Sequence, residues 1–218
     1  MANQDRVLLV EGETDQGFLI EVLKALNLQV DVKVAPPKEL GGTYNSKQGV
    51  FNYLPNLLKQ LADGSLINLA VVIDADTAPD GGYQRTYDLV NAIVEPIGYS
   101  LKADSISGLI FEHNDGLADF GLWIMPDNTQ EGMLEDWLKE CIHHNEQALF
   151  VHAQSVVEEL PKPQKFKSIH RSKAEVATWL AWQKQPGHGL YRAVTDQLLD
   201  SKKPLYSQMT TWLKHIYA

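Results

Sequence analysis

Three places in the chain put carboxylates at the end of an apolar run. In Leu8-Leu9-Val10-Glu11-Gly12-Glu13-Thr14-Asp15 the run stops at Glu11, a glycine allows a tight turn, and Asp15 stands near the start of a helical stretch. In Ala70-Val71-Val72-Ile73-Asp74-Ala75-Asp76-Thr77 two acids follow a β-branched run, one residue apart. In Ile124-Met125-Pro126-Asp127-Asn128 a third run ends in Asp127, with Gly132, Glu135 and Asp136 just beyond. Carboxylate oxygens are hard ligands, and an Asp-x-Asp pair at a strand end offers two of them on one side of the chain, which suits Mg²⁺ or Mn²⁺. Held close without a cation, Asp74 and Asp76 would repel each other, and no lysine or arginine follows them in sequence before Arg85.

Each signal has a plainer reading beside it. Thr14, or Glu13 with Asp15, also fits the cap and charge complement of a helix N-terminus. Glu135 and Asp136 fit a solvated helix face beside Trp137 and Leu138, which leaves Asp127 as the better ligand candidate of the third cluster. From Pro161 to Lys173 the chain holds Lys162, Lys165, Lys167, Arg171 and Lys173 with no acid among them. Phosphate contacts by Lys167 and Arg171 fit that run, and so does a solvated basic surface. Gly41-Gly42-Thr43 stands where a phosphate-approach loop could, but it lacks the Walker lysine pattern, which favours a plain turn. His143 and His144 are adjacent and would point apart on a helix, so they make no two-ligand motif. Trp179 and Trp182 could stack bases, although core packing is the commoner use of that spacing. Cys141, beside Ile142, reads as a small buried apolar residue.

The elements that must position these acids alternate in type. Strand-like runs at Val7 to Val10, Val30 to Val34 and Leu69 to Ile73 alternate with helix-like stretches at Asp15 to Ala25, Gln48 to Leu61 and Tyr83 to Ile97. That order predicts an α/β parallel sheet, in which ligands collect at the carboxyl ends of the strands, where Glu11 and Asp74 stand. Gly108 to Phe111 and Gly121 to Met125 add strands, for about five in all. After Gly132 strand signals nearly vanish, and Met133 to Ile142, Ala174 to Gln183 and Tyr206 to Ile216 show helical spacing. The reading is a core over 1–145 and a helical C-terminal extension over 146–218 packed on it.

Nineteen basic against twenty-eight acidic side chains give a net charge of −9, which argues against broad electrostatic adhesion to nucleic acid. Residues 5–11 lack the pattern of a secretion signal, and no apolar run is long enough to cross a bilayer. The single cysteine excludes an internal disulfide and fits a reducing cytoplasm. A protein partner and a homo-oligomer stay open.

Val10-Glu11-Gly12 with Asp15, followed roughly sixty residues later by Asp74-Ala75-Asp76, resembles the Toprim motif set. Toprim domains occur in topoisomerases, bacterial primases, recombination and RNA-maturation nucleases, and nucleases of the overcoming-lysogenization-defect class. In layout the chain is similar to a stand-alone family of uncharacterised Toprim-like proteins with a Pro-Asp plus Leu-Glu-Asp segment and a late Ser-Lys-Ala helix. Here these are Pro126-Asp127, Leu134-Glu135-Asp136 and Ser172-Lys173-Ala174. The resemblance covers about 140 residues of core and, more loosely, the whole chain. It implies a Rossmann-like, mostly parallel sheet, Glu11 as general acid/base or metal ligand, Asp74 and Asp76 as Mg²⁺ ligands, and Asp15 as a further acid for a second ion. No tyrosine-nucleophile or zinc-binding primase domain accompanies the motifs, which leaves nuclease-type chemistry on nucleic acid or a nucleotide. Two ions about 4 Å apart would activate a water and stabilise the leaving oxygen, and Lys173 is the candidate cation beside the developing charge. Two other readings stand beside this one. Asp74-Ala75-Asp76-Thr77 also resembles the first motif of haloacid-dehalogenase-type phosphatases, with Asp74 as nucleophile and Asp76 as acid/base, although that motif normally opens the fold. A non-catalytic regulatory protein that senses a metal or nucleotide would carry the same acids.

Overall fold

Apolar runs without alternation mark strands covered on both faces, and the computed structural model, which describes residues 5–35, 46–79, 81–102 and 107–218, builds its sheet from them. In chain order the elements are β1 (Arg6–Val10), α1 (Glu13–Ala25), β2 (Asp31–Val34), α2 (Lys47–Ala62), β3 (Asn68–Asp74), α3 (Tyr83–Val94), β4 (Tyr99–Leu101), β5 (Leu109–His113), β6 (Phe120–Met125), α4 (Leu134–Cys141), α5 (Gln147–Glu158), α6 (Arg171–Ala181), α7 (Arg192–Thr195) and α8 (Pro204–Tyr217). Among the described residues six strands form one sheet in the order β2-β1-β3-β6-β5-β4. The first four of that order run parallel, β5 is antiparallel to β6, and β4 is antiparallel to β5. The architecture is α/β and Rossmann-like, with a mostly parallel sheet flanked by helices.

Side chains of the central strands alternate between two cores. Val7, Leu9, Val71 and Ile73 face one side, where α2 and α3 cover them through residues such as Leu54, Leu58 and Val90. Leu8, Val10, Val72 and Trp123 face the other, under Phe18 and Val22 of α1, Trp137 of α4 and Trp212 of α8. The stretch 146–218 packs on this second side. Its last helix lies against the sheet itself: Tyr217 Oη donates to Val7 O at 2.6 Å and Trp212 Nε1 to Leu109 O at 3.3 Å. Gly121 makes that approach fit, since a Cβ there would lie 2.8 Å from Ile216 Cδ1.

The structure departs from the sequence reading in four places. A sixth strand, β4, is only three residues long, too short to show alternation. The helix expected to reach Ile97 ends at Val94 and continues as a 3₁₀ turn over Glu95–Ile97, where Pro96 has no N–H to extend the ladder. Helices α5 and α7 are additions to the expected elements. Helix α6 begins at Arg171 rather than Ala174, which brings Ser172 and Lys173 into its first turn. No helix among the described residues is long and apolar enough to cross a membrane.

Candidate functional site

Strand β1 pairs with β2 on one side and β3 on the other, and the crossovers α1 and α2 lie on opposite faces of the sheet. The crevice at the carboxyl ends of such strands is where ligands settle in this class of fold. Glu11 is the first residue past β1, Asp74 is the last of β3, and the two strands are in parallel register. Glu11 Oε1 therefore reaches the N–H of Asp74 and accepts it at 2.8 Å. Asp74 Oδ1 accepts the N–H of Leu134 at 2.9 Å, tying the end of β3 to the first turn of α4. Asp15 Oδ2 accepts the N–H of Gly12 at 3.0 Å, so the capping role read from the sequence exists and points the carboxylate back toward Glu11. Glu135, only 8% exposed, joins the group from α4.

Burial dominates the electrostatics of this cluster. It lifts the Glu11 carboxyl from 4.5 to about 7, against the Asp74 hydrogen bond and the attraction of Lys47. It lifts Asp74 well above the carboxylate range, and repulsion from Glu11, Asp15, Glu135 and Asp76 adds to the rise. Asp15 and Glu135 are also raised by burial, while the positive charge of Lys173 pulls both down. Glu11, Asp15, Asp74 and Glu135 thus sense one another as a single cluster, and Lys173 is the cation that faces it from α6.

Asp76 belongs to the same edge but is turned differently. Its φ of 61° is left-handed, a region aspartate visits more readily than most residues. A two-bond bridge with Gly132 holds it there, Asp76 N to Gly132 O at 2.8 Å and Gly132 N to Asp76 O at 3.1 Å. Gly132 has no room for a side chain, since a Cβ would lie 2.8 Å from Asp136 Oδ2, and a Cβ on Gly81 would lie 2.6 Å from that of Asp76. The Asp76 carboxylate pairs with Lys47 Nζ at 2.6 Å. The cation that the neighbouring sequence lacks is supplied from the first turn of α2.

Asp76, Met133, Ile169, His170 and Lys173 line a pocket of about 280 Å³ beside the cluster. The position of Lys173 is set by its neighbour Ser172, whose Oγ donates to Asp136 Oδ1 at 2.5 Å and accepts from Lys139 Nζ at 3.1 Å. Lys139 also pairs with Glu175 at 3.1 Å. Asp136 Oδ2 accepts the N–H of Met133 at 3.1 Å, so this acid clamps α4 to α6.

Other sequence candidates lie apart from the cluster. Asp127 accepts from Thr129 N, Thr129 Oγ1, Gln130 N and Gln130 Nε2 at 2.7–3.0 Å. Burial would raise its carboxyl, but these hydrogen bonds outweigh that and hold it below the ordinary value. It organises the turn after β6. Arg171 pairs with Glu158 and Glu175, which leaves little of its charge for a phosphate. Lys167 is exposed before the 3₁₀ turn Ser168–His170. The Gly41-Gly42-Thr43 stretch lies outside the described residues. His143 and His144 fall past α4 at a 3₁₀ turn, His144–Glu146, and their tilted rings lie 4.2 Å apart rather than pointing apart. Trp179 is core, whereas Trp182 is 40% exposed and packs on His152. Cys141 is buried, and burial pushes its thiol upward.

The profile of a family described as "Protein of unknown function (DUF3226)" matches residues 5–218. The chain belongs to this family. No curated protein and no solved structure matches it. In donor type the cluster fits a hard divalent cation, being all oxygen and rich in carboxylates. As folded, no three His, Cys, Asp or Glu side chains among the described residues stand ready to hold a metal. Glu11 and Asp74 each spend an oxygen on a backbone N–H, and Asp76 is turned onto Lys47.

Two residues of the site are underweighted by the sequence. Glu135 fits function and a solvated face equally well there, although its helix buries Leu134, Trp137, Leu138 and Cys141 and that stripe includes position 135. Lys47 carries no signal at all, because its partner lies across the sheet edge on another element.

Proposed function

We propose that the chain is a Mg²⁺- or Mn²⁺-dependent, phosphodiester-handling protein, a Toprim-type nuclease acting on nucleic acid or a nucleotide. The observation that carries this reading is the convergence of Glu11, Asp15, Asp74 and Glu135 at one sheet edge, with Asp76 beside them and Lys173 facing them. Asp74, Asp76 and Asp15 are the residues that would hold the ion, with Glu11 as ligand or base. A bound divalent ion supplies Lewis acidity toward a phosphate oxygen and acidifies a water. Glu11, buried beside those ligands, would take the proton of an attacking water as general base. Lys173, at the pocket, offers positive charge where a phosphate gains negative charge. A cytoplasmic setting fits the buried, unpaired Cys141.

The second reading, a non-catalytic metal or nucleotide sensor, is favoured by one observation, the Lys47–Asp76 pair that occupies part of the site. The phosphatase alternative has less support, since Asp74 as nucleophile would be a buried acid pressed by Glu11. The test is cleavage of single-stranded and supercoiled DNA in Mg²⁺ or Mn²⁺ by the wild type and Glu11→Gln. Metal-dependent cleavage that Glu11→Gln removes supports the nuclease. Metal binding without DNA cleavage supports the sensor or a different phosphate substrate, and an absence of metal binding overturns both.

A further inference from the structure

Lys47 is held more closely than a surface lysine needs to be. Its side chain is 17% exposed, and its ammonium lies 2.6 Å from Asp76 Oδ2, 3.0 Å from Ala75 O and 3.3 Å from Thr86 Oγ1. An ammonium has three N–H donors, and these three oxygens take them all. Thr86 is itself buried and donates to Ala75 O at 3.3 Å, so the cradle is built jointly by α2, the end of β3 and α3. Ordering a long lysine side chain costs rotamer entropy, which a solvated ion pair repays poorly. A carboxylate, a backbone carbonyl and a hydroxyl are also the oxygen types that hard divalent cations accept.

We infer that Lys47 stands in for a second divalent cation beside Asp76, so that the cluster takes one divalent ion and the ammonium supplies the other positive charge. The inference rests on the metal-site reading above. Replacing Lys47 by a neutral residue would leave Asp76, Ala75 O and Thr86 Oγ1 as an all-oxygen hole next to the first ion's ligands, with one positive charge fewer to repel an incoming cation.

The test counts Mn²⁺ bound to the wild type, Lys47→Met and Lys47→Gln from the paramagnetic resonance signal of the free ion. Near-ultraviolet circular dichroism of the buried Trp123, Trp137, Trp179 and Trp212 reports whether each protein is folded. The wild type should bind one Mn²⁺. The folded variants should bind two, or bind one about tenfold or more tightly, the scale on which a unit charge a few Å away shifts an ionic equilibrium. Mn²⁺ should also raise the melting temperature of the variants more than that of the wild type. Equal stoichiometry and affinity in wild type and folded variants would overturn the inference and leave the metal site standing. No Mn²⁺ on any of the proteins would overturn both. Should neither neutral variant fold, Lys47→Arg keeps the positive charge and should bind one Mn²⁺ as the wild type does, and a second Mn²⁺ on that variant or on the wild type would overturn the inference.

Discussion

In the absence of divalent cations, replacing Glu11 by glutamine should stabilise the fold at and above neutral pH. Burial lifts the Glu11 carboxyl from 4.5 to about 7, so the folded chain holds this proton more tightly than the unfolded chain does. That contribution is complete below 4.5, declines as pH rises, and is gone above about 7, where a charge must be carried in the buried cluster. The interval corresponds to a ceiling of about 3 kcal/mol. Glutamine keeps an Oε1 to accept the Asp74 N–H, which Glu11 receives at 2.8 Å, and it carries no charge at any pH. For a chain of this size the gain would be a melting temperature up to roughly 6–12 °C higher at pH 8, shrinking to nothing near pH 4.5. Thermal and urea unfolding of both proteins in a chelator, from pH 4.5 to 8.5, reads this directly. Saturating Mn²⁺ should reverse the order at pH 8, because the wild-type carboxylate can be neutralised by the ion. A variant less stable than the wild type at pH 8 in chelator, or a difference that does not change with pH, would refute the reasoning.

Three further outcomes separate the site from its scaffold. Asp127→Ala should lose about 1–2 kcal/mol in urea unfolding, the worth of a multiply bonded turn cap, with Mn²⁺ affinity unchanged; a loss of affinity would return Asp127 to the site. Since hydrogen bonds hold the Asp127 carboxyl below its ordinary value, that contribution should persist at neutral pH and fade only in acid. Glu175→Ala removes the partner that Lys139 and Arg171 share and should lower the urea midpoint of unfolding while leaving Mn²⁺ affinity unchanged; a loss of affinity would place Glu175 in the site. Gly121→Ala forces a Cβ against Ile216 and Ala70 and should cost about 1–3 kcal/mol through overpacking, with no change in metal binding beyond that of fewer folded molecules.

Legibility in the sequence followed burial and chain distance. Strands such as Val7 to Val10 and Leu69 to Ile73 are continuous apolar runs because helices cover both their faces, and such runs are visible without any partner. The acids Glu11 and Asp74 were legible for the same reason, since each interrupts a run at the strand end where ligands collect. The three-residue β4 and the four-residue α7 are too short for a period to show. Lys47 pairs with an acid far along the chain, a contact that depends on how α2 is laid beside β3 and leaves no local pattern. Asp127 looked like its neighbours in the motif set, and only its four hydrogen bonds to the residues after it distinguish a turn cap from a converging ligand.

Whether the acidic cluster is a divalent-cation site is tested most directly by calorimetric titration of Mn²⁺ into the wild type and Asp74→Ala. Asp74 lies at a strand end, tied to Glu11 and Leu134 through hydrogen bonds, so the variant should fold and yet bind no Mn²⁺, while the wild type gives a saturable isotherm. No binding by the wild type, or equal binding by both folded proteins, would contradict the metal-site assignment.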